Sequence, residues 1–114
     1  MKLATARSRP ILNPTAAGEH AVELADLFKL LGDATRLRIV LTCIEIPVAV
    51  SDIAERLDLS ASLVSHHLRL LRGARIVRAQ RNGKQVFYTA ADHHIRCVVG
   101  DMLEHIAEPR SPDE

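Results

Sequence analysis

Four side chains near the C-terminus are of types that bind metal ions. Asp92 and His94 begin the stretch DHHIRCVVGDMLEHIAE at residues 92–108, and His105 and Glu108 end it. Imidazole nitrogen and carboxylate oxygen suit Zn²⁺, and they also suit Co²⁺ or Ni²⁺, so relative affinity alone does not select the ion. The set predicts a divalent metal site. The simpler interpretation is that Asp92 caps a helix and that the histidines lie on its solvent-exposed face.

The spacing of these residues indicates that two chains share the site. Apolar residues recur at helical intervals between the two ends, so the whole stretch is predicted to be one helix. At about 100° per residue, His105 and Glu108 fall within about 40° of His94 on the same face. Yet His94 and His105 are eleven residues apart, roughly 16 Å along a helix. Zinc ligands lie about 2.0–2.2 Å from the ion, so one straight helix cannot bring all four onto one ion, whereas two antiparallel copies could.

Composition limits the remaining possibilities. The 114 residues allow one domain, and 47% hydrophobic content with no Trp predicts a mainly aliphatic core. No apolar run is long enough for a membrane span, the first residues lack the apolar middle of a secretion signal, and two cysteines make no disulfide framework. We therefore expect a cytoplasmic protein that does not associate with membranes.

The basic residues are segregated along the chain. Residues 59–91 contain six basic and no acidic residues, a charge of +6, whereas the remainder carries −5 and the whole chain +1. A solvated surface explains the bases but not the complete absence of acids. The segment is typical of a face that binds a polyanion.

The order of predicted elements explains how such a face is built. Residues 1–17 lack periodicity and predict a mobile arm, residues 18–108 one domain, and residues 109–114 a disordered tail. A helix from Glu19 to Leu31, apolar around much of its girth, is expected to form a homodimer interface with the last helix. A second helix follows Asp33 and runs toward Pro47.

The basic segment itself predicts a winged helix-turn-helix. A short helix near Ser51, the Asp58-Leu59 turn and a helix capped by Ser60 form the helix-turn-helix. Strands at about 76–81 and 84–89, joined by Asn82-Gly83, predict a hairpin with a type I′ turn. The fold class is thus mainly α with a β-hairpin, and the basic hairpin is the wing.

Two sets of side chains are candidates for contact with double-stranded DNA. Small hydroxyls and bases on the second helix allow close approach to a major groove, although His67 has the alternative of packing beside Leu63 and Leu70. The wing bases are expected to touch phosphates or a minor groove. The candidates are Ser62, Ser65, His66, His67 and Arg69 on the helix and Arg78, Arg81 and Lys84 on the wing.

These motifs resemble the ArsR/SmtB family of metal-responsive bacterial repressors over about residues 21–108. The resemblance rests on LFKLLGDATRLRIV at 27–40, DIAERLDLSASLVSHHLRLLRGARIV at 52–77, the RNGK wing followed by VFY at 86–88, and the four candidate ligands. It implies a homodimer that binds an imperfect palindromic operator and releases it when zinc binds the C-terminal helices. It further implies a relay from His105 to the backbone near Arg75. The cysteine pair of family members that sense arsenite or cadmium is missing from EIPVAVSD at 45–52.

Two other functions fit parts of the pattern. Cys43 and Cys97 could make the same DNA-binding dimer responsive to thiol oxidation, although a whole domain separates them in sequence. A metallohydrolase would need an open coordination position, which four protein ligands at a packed seam do not leave. We therefore expect no enzyme activity.

Overall fold

The computed structural model describes residues 14–112, with side-chain surroundings from residue 18 onward. Within this range the chain forms five helices and three strands. The helices are α1 (Pro14–Leu31), α2 (Ala34–Thr42), α3 (Val50–Leu57), α4 (Ala61–Gly73) and α5 (His93–Ala107), and the strands are β1 (Val48–Ala49), β2 (Val77–Asn82) and β3 (Gln85–Ala90). No helix in this range is long and apolar enough to cross a membrane.

Helix α1 is longer than the sequence predicts, because it begins at Pro14 and not at Glu19. Proline is favoured in the first turn, where its fixed φ suits the helix and its missing N–H has no intrahelical partner to lose. The end of the predicted arm is therefore helical, while residues 1–13 lie outside the described part of the chain. Residues 109–112 of the predicted tail belong to no helix or strand, and the last two residues are not described.

Caps define the next helices much as the sequence predicts. The Arg36 amide donates to Asp33 Oδ2 at 2.9 Å at the start of α2, and the Leu63 amide donates to Ser60 Oγ at 3.1 Å at the start of α4. Between α3 and α4, Asp58 adopts φ 57°, a left-handed conformation that Asp tolerates better than most residues. The helix-turn-helix is confirmed.

Helix α2 ends at Thr42, earlier than the predicted break at Pro47, and an additional strand follows it. In that strand Val48 pairs with Tyr88 and Ala49 with Phe87. The sheet order is β1-β3-β2 and both pairings are antiparallel. Two residues are too few to show an alternating pattern, so β1 could not be recognised from sequence periodicity.

The hairpin is confirmed, but its turn lies one residue later than predicted. Asn82 pairs with Gln85, which leaves Gly83 and Lys84 as the loop. Gly83 has φ +66°, whereas Asn82 keeps a negative φ. A type I′ turn at Asn82-Gly83 is therefore wrong. A two-residue loop that begins with a positive-φ glycine has the pattern of a type II′ turn.

The core is aliphatic and centred on the helix-turn-helix. On α4, Val64, Leu68 and Leu71 have no accessible surface and pack with Ile39 and Ile53. A second cluster joins Ile44, Ala90 and Val99, so α5 packs against the end of α2 and the last strand. This second cluster fixes where the C-terminal helix, and therefore its ligand candidates, stand relative to the wing.

Candidate metal and DNA sites

Asp92 is the N-cap of α5, and its carboxylate still has an oxygen that can bind a metal ion. The Ile95 amide donates to its Oδ1 at 3.0 Å, so the capping interpretation holds. Capping engages one oxygen of a carboxylate that has two, and the side chain is exposed. A cap at this point orients the carboxylate toward the first turn of α5, where His94 is also exposed.

The surroundings of Asp92 and His94 connect the first half of the predicted metal site to the DNA-binding unit. Both residues line a cleft of about 580 Å³ with Arg72, Arg75 and Arg78. These arginines come from the end of α4, the following turn and strand β2. Arg75 has φ 61°, which fixes an unusual backbone conformation in the turn. The end of α5 that carries Asp92 and His94 is therefore adjacent to the base of the wing.

His105 and Glu108 form the second half at the other end of α5. They line a pocket of about 360 Å³ with Ile106, Pro109 and Arg110. Glu108 is the C-cap, with φ −70° and ψ 142°, so its backbone is already extended. This follows from Pro109, since a residue before proline is biased away from the helical region.

The two halves do not meet within one chain. Among the described residues, no group of three or more His, Cys, Asp or Glu side chains is close enough to hold a metal ion. This agrees with the separation along α5 that the sequence requires. Asp92, His94, His105 and Glu108 as one zinc site therefore stay a prediction that involves two chains.

An exposed apolar face runs beside these candidate ligands, formed by α1 and α5. Phe28, Met102 and Ile106 expose 55%, 56% and 75% of their surface. Between the helices lies a cavity of about 240 Å³ whose lining is almost wholly apolar: Phe28, Leu31, Gly32, Leu37, Leu41, Val98, Val99, Met102, Leu103 and Ile106. A contiguous face of this kind marks an interaction surface.

The predicted DNA contacts divide into exposed and half-buried side chains. Ser62, His66 and Arg69 are exposed on α4, and Ser65 is half-buried beside them. On the wing, Arg78, Arg81 and Lys84 are exposed, with Lys84 in the hairpin loop. The exposed set has the position of a recognition helix beside a basic wing.

His67 differs from the other candidates, because its ring turns inward. The side chain is half-buried, and its Nδ1 is shielded from solvent with no hydrogen-bond partner among the described residues. Burial lowers the pKa of His67, and the nearby Arg36 lowers it further. This placement agrees better with the packing alternative, although the neighbours are Asp33 and Arg36. Contact between His67 and DNA stays a prediction.

The two cysteines have different environments. Cys43 is buried, its Sγ donates to the Ile39 carbonyl oxygen at 3.4 Å, and burial raises its pKa to about 11. Such a thiol is protonated at neutral pH and is a poor nucleophile. Cys97 is exposed, and its Sγ lies 3.5 Å from Nε2 of His93. The i,i+4 spacing of His93 and Cys97 on a predicted helix is a signal that the sequence offers, but neither residue is among the four metal ligands predicted from it.

An exposed recognition helix beside a basic wing on a packed helical body is the arrangement of a winged helix-turn-helix DNA-binding protein. A family model described as "Bacterial regulatory protein, arsR family" matches residues 33–79. The chain is 34% identical over 90 residues to the transcriptional repressor SmtB homolog of Synechocystis, a match that covers 79% of this chain and 68% of the relative. The chain therefore belongs to the ArsR/SmtB family.

Two further similarities agree with this assignment. A cadmium resistance transcriptional regulatory protein, a CadC homolog of Staphylococcus aureus, is 33% identical over 96 residues, which cover 83% of this chain and 79% of the relative. The structure of a homodimeric winged helix-turn-helix DNA-binding domain from Mycobacterium bovis superposes with a TM-score of 0.72 at 20% identity and covers 86% of this chain and 90% of that one. The latter supports the winged helix fold.

Proposed function

We propose that the protein is a cytoplasmic, homodimeric repressor that releases its operator when Zn²⁺ binds at a site shared by the two α5 helices. The observation that carries the proposal is the arrangement of α5. Two half-sets of ligands occupy its opposite ends, and an exposed apolar face lies between them. A partner helix that covers this face in antiparallel orientation brings the two half-sets together.

A second copy of the chain is the occupant that best fits the face of α1 and α5. The lining of the cavity there contains no charged side chain, and exposed Met102 and Ile106 extend it along α5. Burial of such side chains contributes about 25 cal/mol per Å² of apolar surface. A self-complementary patch on a symmetric dimer needs no further partner, and the similar domain from M. bovis is described as homodimeric.

The donor types fit a divalent ion of the zinc group. Two imidazoles and two carboxylates make a nitrogen and oxygen set suited to Zn²⁺, with Co²⁺ or Ni²⁺ as alternatives. In this proposal one chain supplies Asp92 and His94 and the other supplies His105 and Glu108. When bound, the ion supplies a common centre for donors of both chains. The description of one relative as a cadmium resistance regulator supports a metal response in general.

DNA binding follows from the symmetry of the dimer. Each α4 is expected to enter a major groove, with Ser62, Ser65, His66 and Arg69 toward the bases and Arg78, Arg81 and Lys84 toward phosphates. Two such units require two half-sites, so the operator is an imperfect palindrome whose half-sites are spaced by helical turns. Binding in this way blocks transcription.

Coupling between the two sites acts through the base of the wing. The first half-set shares its cleft with Arg75 and Arg78, so the partner's His105 would arrive next to the turn after α4. Contact with the backbone near Arg75 would then fix the winged units at a spacing that the operator does not accept. The two equilibria oppose each other, and the coupling free energy must be reciprocal.

The test is a zinc titration of the dimer bound to a labelled palindrome, followed by fluorescence anisotropy with chelator and reductant controls. We expect anisotropy to fall as about one zinc per chain binds, and to recover on chelation. The His105→Ala variant should bind DNA as the parent does and should stay bound when zinc is added. Release of DNA by zinc in His105→Ala would contradict the proposed ligand set.

A thiol-responsive repressor using Cys43 and Cys97 is the alternative. It is less well supported, because the raised pKa of buried Cys43 disfavours its thiolate. Its test is loss of DNA binding with hydrogen peroxide in the absence of metal. If that loss occurs and disappears in the Cys43→Ser/Cys97→Ser variant, the thiol mechanism replaces the metal mechanism.

A further inference from the structure

His93 and Cys97 make a close pair of metal-binding side chains outside the four proposed zinc ligands. They occupy positions i and i+4 on α5 and both are exposed. The Sγ of Cys97 lies 3.6 Å from Nδ1 and 3.5 Å from Nε2 of His93. Paired ligands at this helical spacing can bind one ion, as two histidines do in helical zinc motifs.

The two side chains are close enough to bind one ion. In a tetrahedral zinc site, zinc–sulfur and zinc–nitrogen bonds of about 2.3 and 2.0–2.1 Å place the two donor atoms about 3.5–3.6 Å apart, which sets the scale for a divalent cation. The sulfur is nearly equidistant from both ring nitrogens, so it lies over the ring face and not along a nitrogen lone pair. Rotation of the exposed imidazole, a motion of nanoseconds or less, turns one lone pair toward an ion beside Cys97.

The pair lies away from the proposed dimer seam. At about 100° per residue, Cys97 is about 100° around α5 from Val98 and about 140° from Met102. On the other side it adjoins the first half of the shared set, since the ring centroids of His93 and His94 are 5.9 Å apart. One chain alone therefore provides both donors, whether or not a partner completes the zinc site.

We propose that His93 and Cys97 form a second metal site on each chain, which binds a thiophilic divalent cation such as Cd²⁺. Thiolate is the softest donor on this face and favours soft cations, whereas the four-residue set offers only nitrogen and oxygen. On binding, the Cys97 thiol gives its proton to the solvent and its sulfur and one His93 nitrogen bond to the ion. Water completes the coordination.

The first measurement is a Cd²⁺ titration of the His105→Ala chain, in which the shared set is already incomplete. We expect an ultraviolet thiolate-to-metal charge-transfer band that saturates at about one Cd²⁺ per chain. Cys97→Ser should abolish the band, and His93→Ala should weaken binding at least about tenfold, as loss of a metal-site partner does. Cys43→Ser is the matched control and should keep both the band and the affinity.

Alkylation of the thiol by iodoacetamide gives an independent measurement that does not rely on absorbance. Cd²⁺ at a saturating concentration should protect Cys97, and His93→Ala should need a correspondingly higher concentration for the same protection. Unchanged Cd²⁺ affinity in His93→Ala, or a charge-transfer band that survives Cys97→Ser, overturns the proposal. Because all of these measurements use a chain that carries His105→Ala, their outcomes are separate from success or failure of the shared zinc site.

Discussion

The Nε of Arg96 donates a hydrogen bond to the backbone carbonyl oxygen of Ile44, 3.4 Å away. Arg96 is on α5, two residues after His94, and Ile44 follows α2 and belongs to the cluster with Ala90 and Val99. The bond thus ties the helix that carries the proposed metal ligands to the helical body that carries the recognition helix. If metal binding repositions α5 as proposed, we expect the movement to act on this bond.

Replacement of Arg96 by Met keeps an apolar stem but removes the donor. We expect the free energy of unfolding to fall by about 1 kcal/mol, the usual net value of one hydrogen bond, as measured by urea denaturation. Zinc affinity should change little, whereas the factor by which zinc weakens DNA binding should decrease. Arg38→Met, at an exposed position on α2 away from the proposed ligands, is the control. Full zinc-dependent release of DNA in Arg96→Met would show that coupling follows another route.

His67 makes stability depend on pH in a direction that its lowered pKa determines. Burial, then Arg36, lowers that pKa below the usual 6.5, so the unfolded chain takes up a proton there before the folded chain does. The contribution of neutral His67 is complete above pH 6.5 and is lost as the pH falls from 6.5 through the lower pKa of the folded state. His67→Gln, which cannot take up that proton, should lose less stability on acidification.

The measurement is the free energy of unfolding of both chains at several pH values between about 7 and 5, where the stability difference between the parent and His67→Gln should shift against the parent. His66→Gln removes an exposed neighbouring imidazole and should retain the acid-dependent loss caused by His67. Parallel pH profiles for the parent and His67→Gln would mean that the ring is solvated in solution.

Sequence periodicity predicts the parts of this fold whose burial repeats regularly. Val64, Leu68 and Leu71 follow the i, i+4, i+7 rule on α4, and all three have no accessible surface. His67 lies at the edge of that buried stripe, where a helical wheel alone does not show whether the side chain faces the DNA groove or the protein core. Its orientation depends on Asp33 and Arg36, which are more than thirty positions earlier in the chain.

The candidate site shows the same limit. The positions of Asp92 and Glu108 at the two ends of α5 follow from a cap and from the residue before a proline, both of which are local signals. The cleft that joins Asp92 and His94 to Arg75 depends on how the second core cluster packs α5 against β3, which no local signal contains. Similarly, residues 48–49 form strand β1 only because they pair with β3, which is distant in the sequence.

The wing bases are expected to contribute salt-dependent affinity. Arg81 and Lys84 are exposed beside and within the hairpin loop, positions suited to phosphate contact. In the Arg81→Gln/Lys84→Gln variant, the slope of log affinity against log salt should fall by about 1 for each phosphate contact removed. Anisotropy titrations at several salt concentrations measure this slope, with Arg110→Gln as the control. An unchanged slope would place the wing away from the DNA backbone.

Arg69 should contribute more to the sequence specificity of DNA binding than to the charge-dependent affinity that is the same for every sequence. It is exposed on α4 one turn after Ser65, where a guanidinium can reach a guanine edge. We expect Arg69→Ala to cost about 1–3 kcal/mol on the preferred operator and to reduce discrimination at one base pair of each half-site. Competition between the operator and single-base variants measures this. An equal loss on every sequence would assign Arg69 to a phosphate instead.

The proposed pairing of half-sets also fixes which apolar residues meet across the dimer. The midpoint between residues 94 and 105, like that between residues 92 and 108, falls at residues 99–100. In an antiparallel pair with this register, Val98 lies opposite the partner's Met102, and both residues are on the exposed apolar face. Their contact would therefore lie next to the two-fold axis, between the two metal sites.

Met102→Lys places two charges at this contact and should convert the dimer to a monomer, as measured by sedimentation velocity. The chain should still fold, because Met102 exposes 56% of its surface in the single protomer and little of the core depends on it. Circular dichroism checks this, and Glu104→Lys, about 160° around the helix, is the matched control. The monomer should lose shared zinc binding together with operator affinity, since each site needs two chains. A Met102→Lys chain that remains dimeric would require a different register for α5 and would remove the geometric basis of the shared zinc site.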